Sequence, residues 1–112
     1  MGCVMHIDCS LIAEIGAIYF GEYNIIEERV RIVNNSIQGT MQIGSYNLFE
    51  VGCIVENSNI GNMNTISHRV KIPTGCTIGS KCVIVAGVEL EPGTVVPDGT
   101  VVYGNGVMRP LQ

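Results

Sequence analysis

Every sixth residue from Ile60 onward is aliphatic: Ile60, Ile66, Ile72, Ile78, Ile84, Leu90, Val96 and Val102. With aliphatics at about a third of positions in an average chain, such a run arises by chance on the order of once in several thousand trials. A period of six gives no continuous 3.6-residue stripe, and β-branched residues and glycines are too dense for a helix. Sandwich or barrel strands would not hold one period through their intervening turns. The pattern predicts an all-β solenoid, a parallel β-helix in which each hexad is one short strand and corner, and three hexads make one coil.

Upstream, the ladder resumes after a one-residue shortening with Val55, Phe49 and Ile43. It skips the polar segment from Val33 to Gln42, which holds Asn34, Asn35, Ser36 and Gly39 and reads as a loop extruded between coils. Ile32, Ile26 and Phe20 follow, and a second small extrusion around Glu14 to Ala17 separates them from Leu11 and Met5. A second ladder lies four residues after each aliphatic: Cys9, Asn24, Val30, Asn47, Cys53, Asn64, Val70, Cys76, Cys82, Val88, Thr94 and Thr100. Residues two apart on a strand face the same side, so the small residue sits near the corner and the aliphatic fills the centre.

Folding three hexads per coil puts Phe20, Ile43, Ile60, Ile78 and Val96 in one column, followed by Gly21, Gly44, Gly61, Gly79 and Pro97. About five coils spaced ~4.8 Å apart would make a prism roughly 24 Å tall. Asn24, Asn47 and Asn64 fall on consecutive coils and predict an inward amide ladder along the stack.

Composition narrows the function classes. At 112 residues the chain is expected to be one domain over residues 1–112, and a 46% hydrophobic content suffices for a modest core. A net charge of -4 argues against nucleic acid, whose binding requires clustered Lys and Arg. No stretch approaches the roughly 20 apolar residues of a spanning helix, and the first ten residues lack a signal-peptide pattern. The expected location is the cytosol, where five cysteines stay reduced. Cys9, Cys53, Cys76 and Cys82 take the small inward place of a hexad, which reads as packing rather than metal binding. The two histidines, His6 and His68, are too few for a three-His zinc site. His68, beside Arg69 and Lys71, is the one plausible general base, with no carboxylate obviously placed to orient it. Neither cofactor, metal nor small-molecule substrate is expected.

The aliphatic–glycine–small pattern resembles the left-handed hexapeptide β-helix family, and that resemblance implies the left hand. The segments Phe20–Gly21–Glu22–Tyr23–Asn24–Ile25–Ile26–Glu27–Glu28, Ile43–Gly44–Ser45–Tyr46–Asn47–Leu48–Phe49–Glu50–Val51–Gly52–Cys53 and Thr74–Gly75–Cys76–Thr77–Ile78–Gly79 are more specific. With Leu11–Ile12–Ala13–Glu14 and Val101–Val102–Tyr103–Gly104, they resemble the dynactin subunit 6 family over nearly the whole chain. The resemblance implies a non-enzymatic scaffold of the dynactin pointed end, paired with dynactin subunit 5 and other pointed-end subunits, in the cytoplasm on the cytoskeleton. The competing expectation is a homotrimeric hexapeptide-repeat acyltransferase or a gamma-class carbonic anhydrase-like enzyme.

The residue before each inward aliphatic points outward. On one face these are Ile25, Leu48, Thr65, Val83 and Val101, rimmed by Tyr23, Tyr46 and Met63; on the next they are Arg31, Ile54, Lys71 and Glu89. Exposed strand centres favour β-branched residues anyway, which accounts for Thr65 and the valines. Leu48 beside two tyrosines fits an interface better, so the first face is the expected partner surface. Self-association is expected through the N-terminal end near Met5 and Leu11, while Pro92, Pro97 and Pro110 would blunt the other end.

Overall fold

The structure, a computed structural model, describes residues 4–5, 10–13, 17–34, 39–104 and 107–110, with side chains from residue 17 onward. Its strands fall into three parallel sheets that share one core. The first sheet holds β1 (Val4–Met5), β4 (Ile25–Ile26), β7 (Leu48–Phe49), β10 (Thr65–Ile66), β13 (Val83–Ile84) and β15 (Thr100–Val102). The second holds β2 (Ser10–Ala13), β5 (Arg31–Asn34), β8 (Ile54–Glu56) and β11 (Lys71–Ile72), extended by a bridge from Lys71 to Glu89. The third holds β3 (Ile18–Phe20), β6 (Met41–Ile43), β9 (Asn59–Ile60), β12 (Thr77–Ile78) and β14 (Val95–Val96). The chain visits the sheets in rotation, as a solenoid of three hexads per coil must.

The ladder of aliphatics is the core. In the first sheet Ile26 lies opposite Phe49, which lies opposite Ile66, then Ile84 and Val102. From Ile26 to Val102 every ladder residue is at most 5% exposed. Each such side chain contributes roughly 1.5–3 kcal/mol by leaving water. Phe20 is only half-buried and packs against the cluster from its edge. For Met5 and Leu11 the strand pairing is described and the side chains are not, so the expected N-terminal association surface lies outside the described side chains.

The extruded loop is shorter than the polar run suggests. Val33 and Asn34 remain in β5, paired with Ile12 and Ala13, and both are buried. Asn34 is held inside by donating from Nδ2 to the carbonyls of Ala17 (2.8 Å) and Gly39 (3.2 Å). On the far side Met41 is buried opposite Ile18, its amide bonded to the Ala17 carbonyl at 2.9 Å. A polar side chain belongs inside when backbone groups satisfy it, and composition alone does not reveal that.

After Gly104 the pattern breaks. Strand β16 (Met108–Pro110) folds back antiparallel on β15, with Arg109 opposite Val101. The edge of β15 is thus covered by Met108–Pro110, with Pro110 in the covering strand.

Corners repeat as strictly as strands. The fourth residue of a hexad adopts positive φ at the first corner (third to first sheet) in Tyr23, Tyr46, Met63, Lys81 and Gly99. The same holds at the second corner (first to second sheet) in Arg29, Gly52, Arg69 and Gly87, and at the third in Gly75 and Gly93. Asn57, third in the shortened hexad from Val55, takes that place on its coil. The non-glycine members have φ between 44° and 62°. An L-residue there costs about 1–2 kcal/mol.

Candidate interaction face

The first sheet brings the outward residues into one column. Ile25 pairs with Leu48, Leu48 with Thr65, Thr65 with Val83 and Val83 with Val101. Ile25 is 46% exposed, and Leu48, Thr65, Val83 and Val101 are half-buried by their neighbours in the column. Tyr23, Tyr46 and Met63 stand along the first corner, each more than half exposed. The two tyrosine rings stack, with centroids 5.3 Å apart and planes inclined by 20°. All eight residues singled out from the sequence therefore share one face and its rim. On the second face Arg31, Ile54, Lys71 and Glu89 also align, and Lys71 Nζ lies 3.8 Å from Glu89.

Two hydrogen-bond ladders fix the rim. Inside, Asn24 Oδ1 accepts the Asn47 amide, Asn47 Oδ1 the Asn64 amide and Asn64 Oδ1 the Cys82 amide, at 2.8–2.9 Å. Their Nδ2 groups donate to the carbonyls of Gly44, Gly61 and Gly79 on the next coil. Outside, the amides of Glu22, Ser45, Asn62 and Ser80 donate to Ser45, Asn62, Ser80 and Asp98 side chains. Between the ladders, the amides of Tyr46, Met63, Lys81 and Gly99 donate to the carbonyls of Glu22, Ser45, Asn62 and Ser80. With both flanks bonded, the positive-φ residue is held between the two ladders, and the side chains of Tyr23, Tyr46 and Met63 stand exposed.

The glycine column lets the coils approach closely enough for these bonds. A Cβ on Gly61 would come within 2.6 Å of the Gly79 carbonyl oxygen, and one on Gly44 would strike Asn62 Oδ1. The amide ladder read from the sequence is present, with no buried side-chain polar atom unpartnered among the described residues.

The rival chemistry gains one correction. A carboxylate does face His68: Glu50 Oε1 lies 3.2 Å from its Nδ1. The two meet diagonally across adjacent coils; the coil period puts them on neighbouring coils, but not their side chains in contact. The imidazole is 62% exposed at the second corner. A hollow of about 600 Å³ lies among Glu89, Leu90, Glu91, Pro92, Thr94 and Met108, and neither Glu50 nor His68 lines it. Cys53, Cys76 and Cys82 are buried, and burial pushes the Cys53 thiol up to about 12, leaving it neutral at physiological pH. Among the described residues no group of three His, Cys, Asp or Glu side chains could hold a metal ion. His6, Cys3 and Cys9 lie outside the described residues. No described helix is long and apolar enough to cross a membrane.

No protein-family profile matches the chain. Dynactin subunit 6 of Danio rerio is 33% identical over 120 residues, covering 97% of this chain and 62% of that protein. Dynactin subunit 6 of Dictyostelium discoideum is 41% identical over 104 residues, covering 91% of this chain and 54% of that protein. This chain is related to dynactin subunit 6. It spans less than two thirds of the length of these dynactin subunit 6 relatives. Among solved structures, a hexapeptide-repeat acetyltransferase of Vibrio cholerae, complexed with acetyl coenzyme A, superposes with a TM-score of 0.70 at 21% identity, covering 99% of this chain and 70% of that one. The acetyltransferase domain of a Neisseria gonorrhoeae protein gives a TM-score of 0.67 at 18% identity, covering 98% and 58%. These neighbours establish the left-handed hexapeptide β-helix as the fold of this dynactin subunit 6 relative. At such identities they carry the fold alone.

Proposed function

We propose that the chain is a non-enzymatic structural subunit of the dynactin pointed-end complex, supporting dynein-based microtubule transport and cargo attachment. In this reading it binds dynactin subunit 5 and other pointed-end subunits in the cytoplasm, on the cytoskeleton. The observation that carries it is relatedness to dynactin subunit 6 along 97% of the chain. The face from Ile25 to Val101, rimmed by Tyr23, Tyr46 and Met63, offers the partner surface: a flat apolar column with exposed aromatic and methionine side chains.

The test is recovery of the tagged chain from its native cytosol, with the mass of the complex measured. Dynactin subunits are expected in stoichiometric amounts. Leu48→Lys should abolish their recovery while leaving thermal unfolding of the isolated chain nearly unchanged, because Leu48 points away from the core. Recovery of a homotrimer alone, or wild-type recovery by Leu48→Lys, would overturn the reading.

The second reading, a hexapeptide-repeat acyltransferase or carbonic anhydrase-like homotrimer, is favoured by the Glu50–His68 pair, in which a carboxylate orients an imidazole. Turnover of acetyl coenzyme A, or zinc-dependent hydration of carbon dioxide, that disappears in His68→Ala would establish it in place of the scaffold.

A further inference from the structure

Three consecutive coils place large side chains where the backbone favours glycine. Tyr23, Tyr46 and Met63 have φ of 59°, 62° and 60°, while Lys81 (59°) and Gly99 fill the same place on the next two coils. At the third corner the later coils use Gly75 and Gly93. The three large side chains contribute nothing to the core, being 53%, 58% and 54% exposed. Replacing them by glycine would relieve the backbone and lose little beyond the stack between the two rings. Arg29, Arg69 and Lys81 hold the same φ with solvated charges. Here the strained places instead keep large aromatic and methionine side chains in water with no return in packing, which marks a recognition surface. The stack also fixes both rings in advance, so little side-chain freedom is lost when a partner covers them.

The charges around the ridge state what covers it. Glu22 precedes Tyr23 on the rim, and Glu27 and Glu50 follow Ile26 and Phe49 at the opposite edge of the same two strands. The first Lys or Arg in the chain is Arg29, and none occurs between Arg31 and Arg69. Arg29 is exposed at the second corner, where Glu27, Glu28 and Glu50 outnumber it, and Arg31 and Lys71 project from the second face. On these two coils the apolar pair Ile25–Leu48 is therefore bordered by tyrosine rings on one side and carboxylates on both. A guanidinium is attracted to a ring face and to a carboxylate alike. We infer, on the footing of the scaffold reading, that the partner element seated here carries aliphatic side chains flanked by arginines, with the Tyr23–Tyr46 stack as its anchor.

The probe is a labelled synthetic peptide alternating isoleucine and arginine, titrated against the full chain by fluorescence anisotropy. Peptides alternating isoleucine with glutamate and with serine are the comparisons. The arginine peptide should bind about tenfold tighter than either, and added salt should erase most of that preference. The double substitution Tyr23→Gly with Tyr46→Gly should weaken it about tenfold, with the unfolding temperature held, because the backbone gains what the stack loses. Glu22→Lys should weaken the arginine peptide and strengthen the glutamate peptide. Equal binding of the three peptides, or unchanged binding by the double glycine variant, overturns the inference. If that happens while Leu48→Lys still removes dynactin subunits from the recovered complex, the scaffold reading stands without it. If Leu48→Lys recovers them normally, both fall.

Discussion

The first and third corners of the prism close the same kind of coil and obey different rules. From Phe20 to Ile26, Ile43 to Phe49, Ile60 to Ile66 and Ile78 to Ile84 the first corner always spans six residues. Length varies only at the third corner: between Ala13 and Ile18, between Asn34 and Met41, and by a one-residue shortening between Val55 and Ile60. The reason lies in bonding. At the first corner consecutive amides bond to the neighbouring coil through paired ladders, so an extra residue would orphan several buried groups at once. At the third corner the amides of Asn57, Gly75 and Gly93 still reach the neighbouring coil, but the side-chain ladder shrinks to one rung. There Ser58 Oγ accepts the Cys76 amide and donates to the Pro73 carbonyl, and Asn34 makes its own tie to the Ala17 carbonyl. A solenoid tolerates insertion where its side-chain ladders are interrupted.

The largest expected effect comes from breaking the rigid corner. Inserting Gly-Ser-Gly between Asn62 and Met63 displaces the Met63 and Asn64 amides from Ser45 and Asn47. It should cost about 4 kcal/mol or more in urea unfolding, since buried donors go unpaired. A cost under about 1 kcal/mol would dissolve the distinction between corners. Next is Asn47→Ala, which strands the Asn64 amide and the Gly61 carbonyl. We expect a loss of about 2–4 kcal/mol by the same measurement, each orphaned group contributing.

Gly61→Ala follows, at about 1–3 kcal/mol, because its methyl group would press on the Gly79 carbonyl and push two coils apart. A neutral result would mean that the coil spacing is softer than the ladders imply. The same Gly-Ser-Gly insertion between Gly39 and Thr40, at the permissive corner, should cost only about 0.6 kcal/mol. Smallest of all is Tyr46→Gly, expected within about 0.5 kcal/mol of wild type, as relief of positive φ offsets the lost stack. A large destabilisation there would show that the ridge serves folding rather than recognition.

Much of the candidate face was legible in the sequence. Ile25, Leu48, Thr65, Val83 and Val101 precede ladder residues, and strand alternation sends them outward once the ladder is inward. The Asn24–Asn47–Asn64 ladder was legible for the same reason, as a column repeated on three consecutive coils. The ends of the extruded loop were not. Val33, Asn34 and Met41 look like parts of a polar run until Asn34 is seen to bond inward. Strand β16 was not legible either: Met108 stands six residues after Val102, so the period alone would extend the coil, yet the chain reverses.

The sequence by itself determined the period, the three columns and which residues fill the prism, because each coil repeats the same one-dimensional rule and errors in one coil are outvoted by the others. Only the tertiary structure decided the events that happen once: the reversal at β16, the stack of Tyr23 on Tyr46, and the meeting of Glu50 with His68. Each depends on the register between coils and on side-chain torsions. Those are set by packing across the stack, not by spacing along the chain.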